Sequence, residues 1–348
     1  LCWTDQGCSK HYRADIQKGG QEMRTRMTAA LVLTMAMLAA SCQRRPFAEH
    51  TTEVNLVLNV KTDIVINDEV PMPETMRIGL YETDGGSVQY TDYISSTGGL
   101  IHPKPGTYDL VVYNIGTEST QIRNEKSHDD IEAFTSEVSS FLKSQLGKFL
   151  EKRAQAQAKA EPEAKEEKIV FEPDHLFVGH LRQTEIPALL EDGDDIEIHL
   201  NVDAHSVVET WNVEIPNVDG VEYVQKAVAI ISGQAGSHFI GREEDSSESV
   251  SIYFEMSVDK ETGVLFGKFN TFGKHPEAQS VLSLDINLTD TGGNEHHYHF
   301  DVDSDFMDNP ALEIVVEDVV KVEQPTGGGG GFAPTVNDWE EVRTEINI

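Results

Sequence analysis

The residue best placed to do chemistry is a cysteine. Ala39-Ala40-Ser41-Cys42 closes an apolar run that starts at Thr28, behind Arg24 and Arg26. Small side chains just before a cysteine let a peptidase approach the backbone, and the thiol can take a diacylglyceryl group. The pattern is that of a lipobox, with cleavage between Ser41 and Cys42 and lipid on Cys42. Its usual leucine, three residues before the cysteine, is Ala39 here, and Leu38 stands one further out. The apolar run is only about 13 residues, against about 20 for a membrane-spanning helix. With its basic start and small-residue exit it reads as a secretory signal peptide.

Other candidates are weaker. In Glu295-His296-His297-Tyr298-His299-Phe300, a strand would put His297 and His299 on one face, where two imidazoles could share a metal with a third ligand from elsewhere. Histidines clustered on a strand are more often solvated, so no metal is expected. Asp301 to Asp305 (DVDSD) starts like a calcium loop, but Phe306 and Leu312 occupy the positions that need glycine and glutamate. Trp211 and Trp339 could stack on a sugar, yet each sits in an apolar strand pattern that favours packing. The chain has no phosphate loop, no GxSxG, no HExxH and no dinucleotide fingerprint. No enzyme and no cofactor are expected.

Composition narrows the partners. The 348 residues carry 27 Lys+Arg and 60 Asp+Glu, a net charge of −33. Five of the basic and three of the acidic residues precede Cys42, leaving 22 and 57 in the processed chain. Such a field repels nucleic acid and anionic headgroups. A covalent lipid is then the sensible anchor, and more than one acyl chain is needed for a stable one. Cys2 and Cys8 lie before the signal, so the processed chain has no disulfide. Residues 1–22 read as an upstream segment, 23–41 as the signal peptide, and 42–52 as a lipidated tether.

The rest reads as strands. Val54–Val60, Met76–Glu82, Ser87–Ile94 and Thr107–Tyr113 alternate or run apolar between turn signals, as an antiparallel meander does. Asp84-Gly85-Gly86 marks a hairpin turn. From Ser127 the period changes. Ile131, Phe134, Val138, Phe141, Leu142, Leu146, Phe149 and Leu150 follow helical spacing, with N-cap candidates at Ser127 to Asp130. Strand patterning returns at Lys168–Val178 and runs through Asp194–Ala204 and Val207–Val218, then a strand, a turn and a buried apolar run over Gly220–Gly233, then Ser249–Val258 and Val264–Gly273 as a hairpin joined by Asp259 to Gly263, and then Ser280–Asp290, His296–Val302 and Leu312–Val319. Turns about every ten residues are the habit of all-β sandwiches. The expectation is two domains, 53–193 with a helical insertion over 127–168, and 194–324. Gly327 to Gly331 then form a flexible leash. Beyond it Trp339, Val342, Ile346 and Ile348 suit one strand, which either folds back into its own sheet or adds to another chain's edge.

Several motifs in order resemble a known group: Cys42, GGLIHPKPGTYDLVVYN (Gly98 to Asn114) with GTEST after it, PDHLFVG (Pro173 to Gly179), Ile231-Ser232-Gly233, FNTFG (Phe269 to Gly273), and the GGGGGFAPTVNDW tail. Together they resemble a Bacteroidetes family of uncharacterised lipoproteins allied to the fimbrillin-type anchor and accessory subunits. The resemblance implies an all-β fold of two tandem transthyretin-like antiparallel β-sandwich domains. It implies a non-enzymatic, outer-membrane lipoprotein, palmitoylated at Cys42, that anchors or helps assemble a fimbria-like adhesive polymer. Its partners would be the outer membrane and fimbrillin-like subunits joined by β-strand addition, with the 325–348 tail as the strand donor. Surface-sent lipoproteins of this phylum carry acidic residues after the cysteine. Gln43-Arg44-Arg45 departs from that and leaves both membrane faces open. The alternative is a glycan-binding lipoprotein of a polysaccharide uptake system.

Overall fold

A computed structural model describes residues 51–61, 70–83, 86–160, 167–188, 198–275, 282–303 and 309–325. Seven strands close into a barrel: β1 (Val54–Lys61), β2 (Thr75–Glu82), β3 (Val88–Ser95), β4 (Gly98–Ile101), β5 (Gly106–Asn114), β9 (Phe177–Ile186) and β10 (Ile198–Ser206), in the order β1-β10-β9-β5-β2-β3-β4. An eight-stranded sheet follows, ordered β19-β18-β13-β16-β17-β11-β20, with β8 beside β16. Its members are β8 (Lys168–Phe171), β11 (Glu209–Ile215), β13 (Val224–Ala235), β16 (Ser249–Asp259), β17 (Val264–Thr271), β18 (Ser283–Asp290), β19 (Glu295–Asp301) and β20 (Glu313–Val315). A four-stranded sheet, β15-β14-β7-β6, takes β6 (Thr120–Arg123), β7 (Glu132–Thr135), β14 (Ser237–Phe239) and β15 (Glu244–Asp245). The short pair β12 (Val218–Asp219) and β21 (Val320–Lys321) completes the set.

Patterning explains which strands are covered on one face and which on both. β3 alternates, with Tyr90 and Ile94 turned to the barrel core and Tyr93 to solvent. β2 and β5 are buried along nearly their whole length. Met76, Ile78, Leu80, Leu110 and Val112 fill the barrel, while Tyr81, Val111 and Tyr113 point outward into a second cluster with Ile131, Ala133, Ile240 and Phe272. A strand covered on both faces reads as a continuous apolar run. β13 does the same: Ala227, Ala229 and Ile231 face the core of the eight-stranded sheet, and Val228 and Ile230 face the helices. Each fully buried Leu, Ile or Phe contributes about 1.5–3 kcal/mol relative to exposure, so two separate cores of this size supply the cohesion.

The structure corrects three expectations. The helix does not start at Ser127. Residues 127–139 are loop and strand β7, and the helices are α1 (Ser140–Gln145) and α2 (Gly147–Ala160). Ser139 is the N-cap, accepting from Leu142 N–H at 3.2 Å. Val138, Leu146 and Phe149 pack on Ile169, Val228, Ile230 and Tyr253, but Phe134 belongs to β7 and Phe141 is 72% exposed. The apolar stripe thus conflates a strand with two helices that lie on the eight-stranded sheet. Second, pairing is not wholly antiparallel: β1 with β10, β8 with β16, β11 with β20 and β12 with β21 run parallel. Third, Val221–Tyr223 is a 3-10 turn, not a strand. The expected boundary at Gly193 lies outside the described residues. On either side of it the sheets exchange strands, because β8 joins the eight-stranded sheet and β10 closes the barrel. The hairpin turn at Asp84-Gly85 also lies outside the described residues. The turn between β16 and β17 is as expected: Gly263 has φ +80°, and Asp259 Oδ1 accepts from Glu261 N at 2.9 Å.

Candidate functional site

Three of the motifs that carry the resemblance, those around Asn114 to Thr120, Pro173 to Gly179 and Phe269 to Gly273, meet where the barrel passes into the eight-stranded sheet. Asn114 ends β5. Its Nδ2 donates to His175 O at 3.1 Å and its Oδ1 accepts from Phe177 N at 2.6 Å. Asp174 Oδ2 accepts from Ser119 N at 2.5 Å and Thr120 N at 3.0 Å, while Asp174 N donates to Thr120 Oγ1 at 2.8 Å. Asn270 Nδ2 donates to Pro173 O at 2.9 Å, and Asn270 Oδ1 accepts from Thr210 Oγ1 at 2.7 Å. Asn270 N donates to Glu172 Oε2 at 3.0 Å, and burial pushes the Glu172 carboxyl above its ordinary range. Three motifs distant in sequence therefore satisfy one another's buried backbone groups. Their role here is to hold chain reversals.

His297 and His299 do share one face of β19, as their spacing predicts, and both turn to a single partner. His297 Nε2 lies 3.0 Å and His299 Nδ1 2.8 Å from Asp285 Oδ1 on β18. Asp285 is fully buried, and its other oxygen is 3.3 Å from Arg153 Nε on α2. Arg153 also donates from Nη2 to Ser251 Oγ at 2.5 Å, and Phe149 stands 5.6 Å from the His297 ring. Burial pushes the Asp285 carboxyl up, but the hydrogen bonds from His297 and His299 and the charge of Arg153 outweigh it and hold the group below its ordinary value. The bond to Asp285 raises His299. The cluster docks α2 on the sheet. Among the described residues no group of three or more His, Cys, Asp or Glu side chains is arranged to hold a metal.

Sequence reasoning did not single out Arg153 or Asp285. A signal exists for the second: an aspartate inside Ser283-Leu284-Asp285-Ile286-Asn287-Leu288 breaks an apolar strand, and a buried carboxylate needs partners. Nothing in the polar segment around Arg153 marks it. Trp211 lies in the core of the eight-stranded sheet, 3% exposed, with Nε1 donating to Glu209 Oε2 at 3.0 Å, so it is no sugar platform. Asp303, from the calcium-like run, pairs with Lys274 at 2.7 Å. Ser41, Cys42, Trp339, Val342, Ile346 and Ile348 lie outside the described residues.

The open surface of the eight-stranded sheet carries Phe266, 43% exposed, among Glu214, Glu255, Lys268 and Glu313 around a shallow depression, and Val315, 41% exposed, is paired with Glu214. At that end β20 pairs in parallel with Asn212–Glu214 of β11, and Asn212 N donates to Leu312 O at 2.9 Å.

A curated protein of Bacteroides ovatus, "Putative fimbrium anchoring subunit Fim4B", is 24% identical over 348 aligned residues, covering 90% of this chain and 96% of that protein. The crystal structure of a "putative adhesin" from Bacteroides ovatus superposes with a TM-score of 0.58 at 22% identity, covering 82% of this chain and 98% of the other, so the fold is shared. The fimbrial anchor protein Mfa2 of Porphyromonas gingivalis aligns with a TM-score of 0.47 at 14% identity, over 76% of this chain and 91% of Mfa2. Residues 41–255 match the family described as "Domain of unknown function (DUF5119)". The resemblance drawn from the motifs is thereby borne out at the level of the family, and the chain belongs to the DUF5119 family.

Proposed function

We propose that this protein is an outer-membrane lipoprotein that serves as an anchor, accessory or assembly subunit of a fimbria-like surface polymer, and that it is not an enzyme. The observation that carries this reading is similarity along nearly the whole length of both chains to a protein named as a fimbrium anchoring subunit. The fold shared with an adhesin supports it. On this reading Cys42, exposed by cleavage after Ser41, carries the acyl chains, and the protein sits in the cell envelope at the outer membrane. The barrel and the eight-stranded sheet, each with its own core, are read as two tandem transthyretin-like β-sandwich domains, with α1 and α2 as an insertion. Subunit contact is by β-strand addition. Residues 332–348, beyond the glycine run, suit a donated strand.

The anchor is tested by feeding the native bacterium an alkyne palmitate and fractionating its membranes. The wild-type chain is expected to take the label and sediment with the outer membrane. Cys42→Ser is expected to lose both label and sedimentation. A wild-type chain without label contradicts the reading.

A further inference from the structure

Between the barrel and the four-stranded sheet lies a second polar cluster, which the assembly reading does not use. His180 projects from β9, His128 from the loop before β7, and His238 from β14. Arg182, also on β9, spans the gap. Its Nη1 is 3.0 Å from His128 Nε2, and its Nη2 donates to Gly241 O at 2.8 Å. The approach is close: a Cβ on Gly241 would fall 1.7 Å from the carbonyl oxygen of His128. The rings lie against the core beneath, His128 edge-on to Tyr81 and His238 stacked on Phe272.

The hydrogen bonds assign the protons. A guanidinium only donates, so His128 Nε2 accepts from Arg182, and the ring's proton is on Nδ1, donating to Asp129 Oδ1 at 2.8 Å. His238 Nδ1 donates to Asp245 Oδ1 at 2.8 Å, while its Nε2 is buried without a hydrogen-bond partner. Both nitrogens of His180 are likewise buried without hydrogen bonds. Glu243 Oε1 is 3.4 Å from its Nε2, outside bonding geometry. The charged and titratable groups facing His180 are thus Arg182 on its own strand, His128, with Asp129 behind it, from the loop, and His238 with Asp245 and Glu243 from the β14–β15 hairpin.

We propose that this seam is an acid-sensitive joint: neutral His180, buried beside Arg182 with neither ring nitrogen hydrogen-bonded, holds the four-stranded sheet to the barrel, and its protonation opens the seam. A proton on His180 adds a buried charge beside Arg182. Burial holds the His180 imidazole down at about 4; Glu243 offsets this in part, and Arg182, His128 and His238 push further down. In the unfolded chain the ring titrates near its ordinary 6.5. Between those values the unfolded state binds more protons, so stability falls as pH falls. From this ring alone the folding equilibrium drops about thirtyfold between pH 7.5 and pH 5.0.

The test is urea unfolding of the full chain and of His180→Gln at both pH values. The wild type is expected to lose about thirtyfold more in its folding equilibrium on acidification than the variant does. Equal losses overturn the proposal. If His180→Gln does not fold, amide exchange of the wild type decides, after correction for intrinsic rates. Protection of residues 131–135 and 237–245 is expected to fall at least about tenfold at pH 5.0. Unchanged protection at the joint overturns it.

Discussion

His180 and His299 are both histidines on strands, both largely buried, and they have opposite neighbours. His180 faces Arg182 and two further imidazoles, with one carboxylate beyond bonding geometry. His299 donates to the fully buried Asp285, whose second oxygen faces Arg153. Around His180 burial, with Arg182 beside it, makes a proton unwelcome. Around His299 a buried carboxylate welcomes it. One molecule therefore carries a joint that acid weakens and a helix dock that mild acid leaves intact. The residue type says little about the response; the burial and the partners that the fold supplies decide.

The comparison breaks most sharply at the two arginines. Arg153→Ala leaves Asp285 buried without its cation and is expected to cost about 3–5 kcal/mol in urea unfolding. Arg182 is half exposed, so the loss of its contact to Glu243 costs no more than about 1 kcal/mol. A larger loss for Arg182→Ala than for Arg153→Ala would reverse the ranking. Next comes the motif seam, where Asn270→Ala removes the donor to Pro173 O and the acceptor for Thr210. About 1–3 kcal/mol is expected from the same measurement.

His299→Gln sharpens the sign. The raised imidazole gives stability that is fully present below about 6.5 and fades as pH rises through the folded value. Melting temperature followed from pH 6 to 9 should decline less in His299→Gln than in the wild type, and an equal or steeper decline would contradict the pairing with Asp285. The smallest effect belongs to Phe141→Ser on α1. That ring is 72% exposed, and the change should stay within about 0.5 kcal/mol.

Strand content was legible because alternation and apolar runs survive in β2, β3, β5, β16, β17, β18 and β19. Pairing was not. The parallel register of Val54 with Ile198, or of Lys168 with Val250, is a long-range choice that leaves no local trace. The helix was half legible. Val138, Leu146 and Phe149 bury as the spacing demands, but Ile131 and Phe134 fit the same period by accident and serve the joint and β7. His297 and His299 were found by type and spacing, while their partners needed the fold. The joint histidines went unmarked because positions 128, 180 and 238 come from three separate segments.

The proposed assembly role rests on a protein partner, so the most direct measurement is on the chain as the native bacterium makes it. Tagged internally near Lys159 and drawn from detergent-solubilised membranes, it would be run on a denaturing gel with and without boiling, and the bands identified by mass spectrometry. The account predicts a heat-sensitive ladder that contains fimbrillin-like subunits. A single band at the monomer mass, the same before and after boiling and with no protein partner, would contradict it.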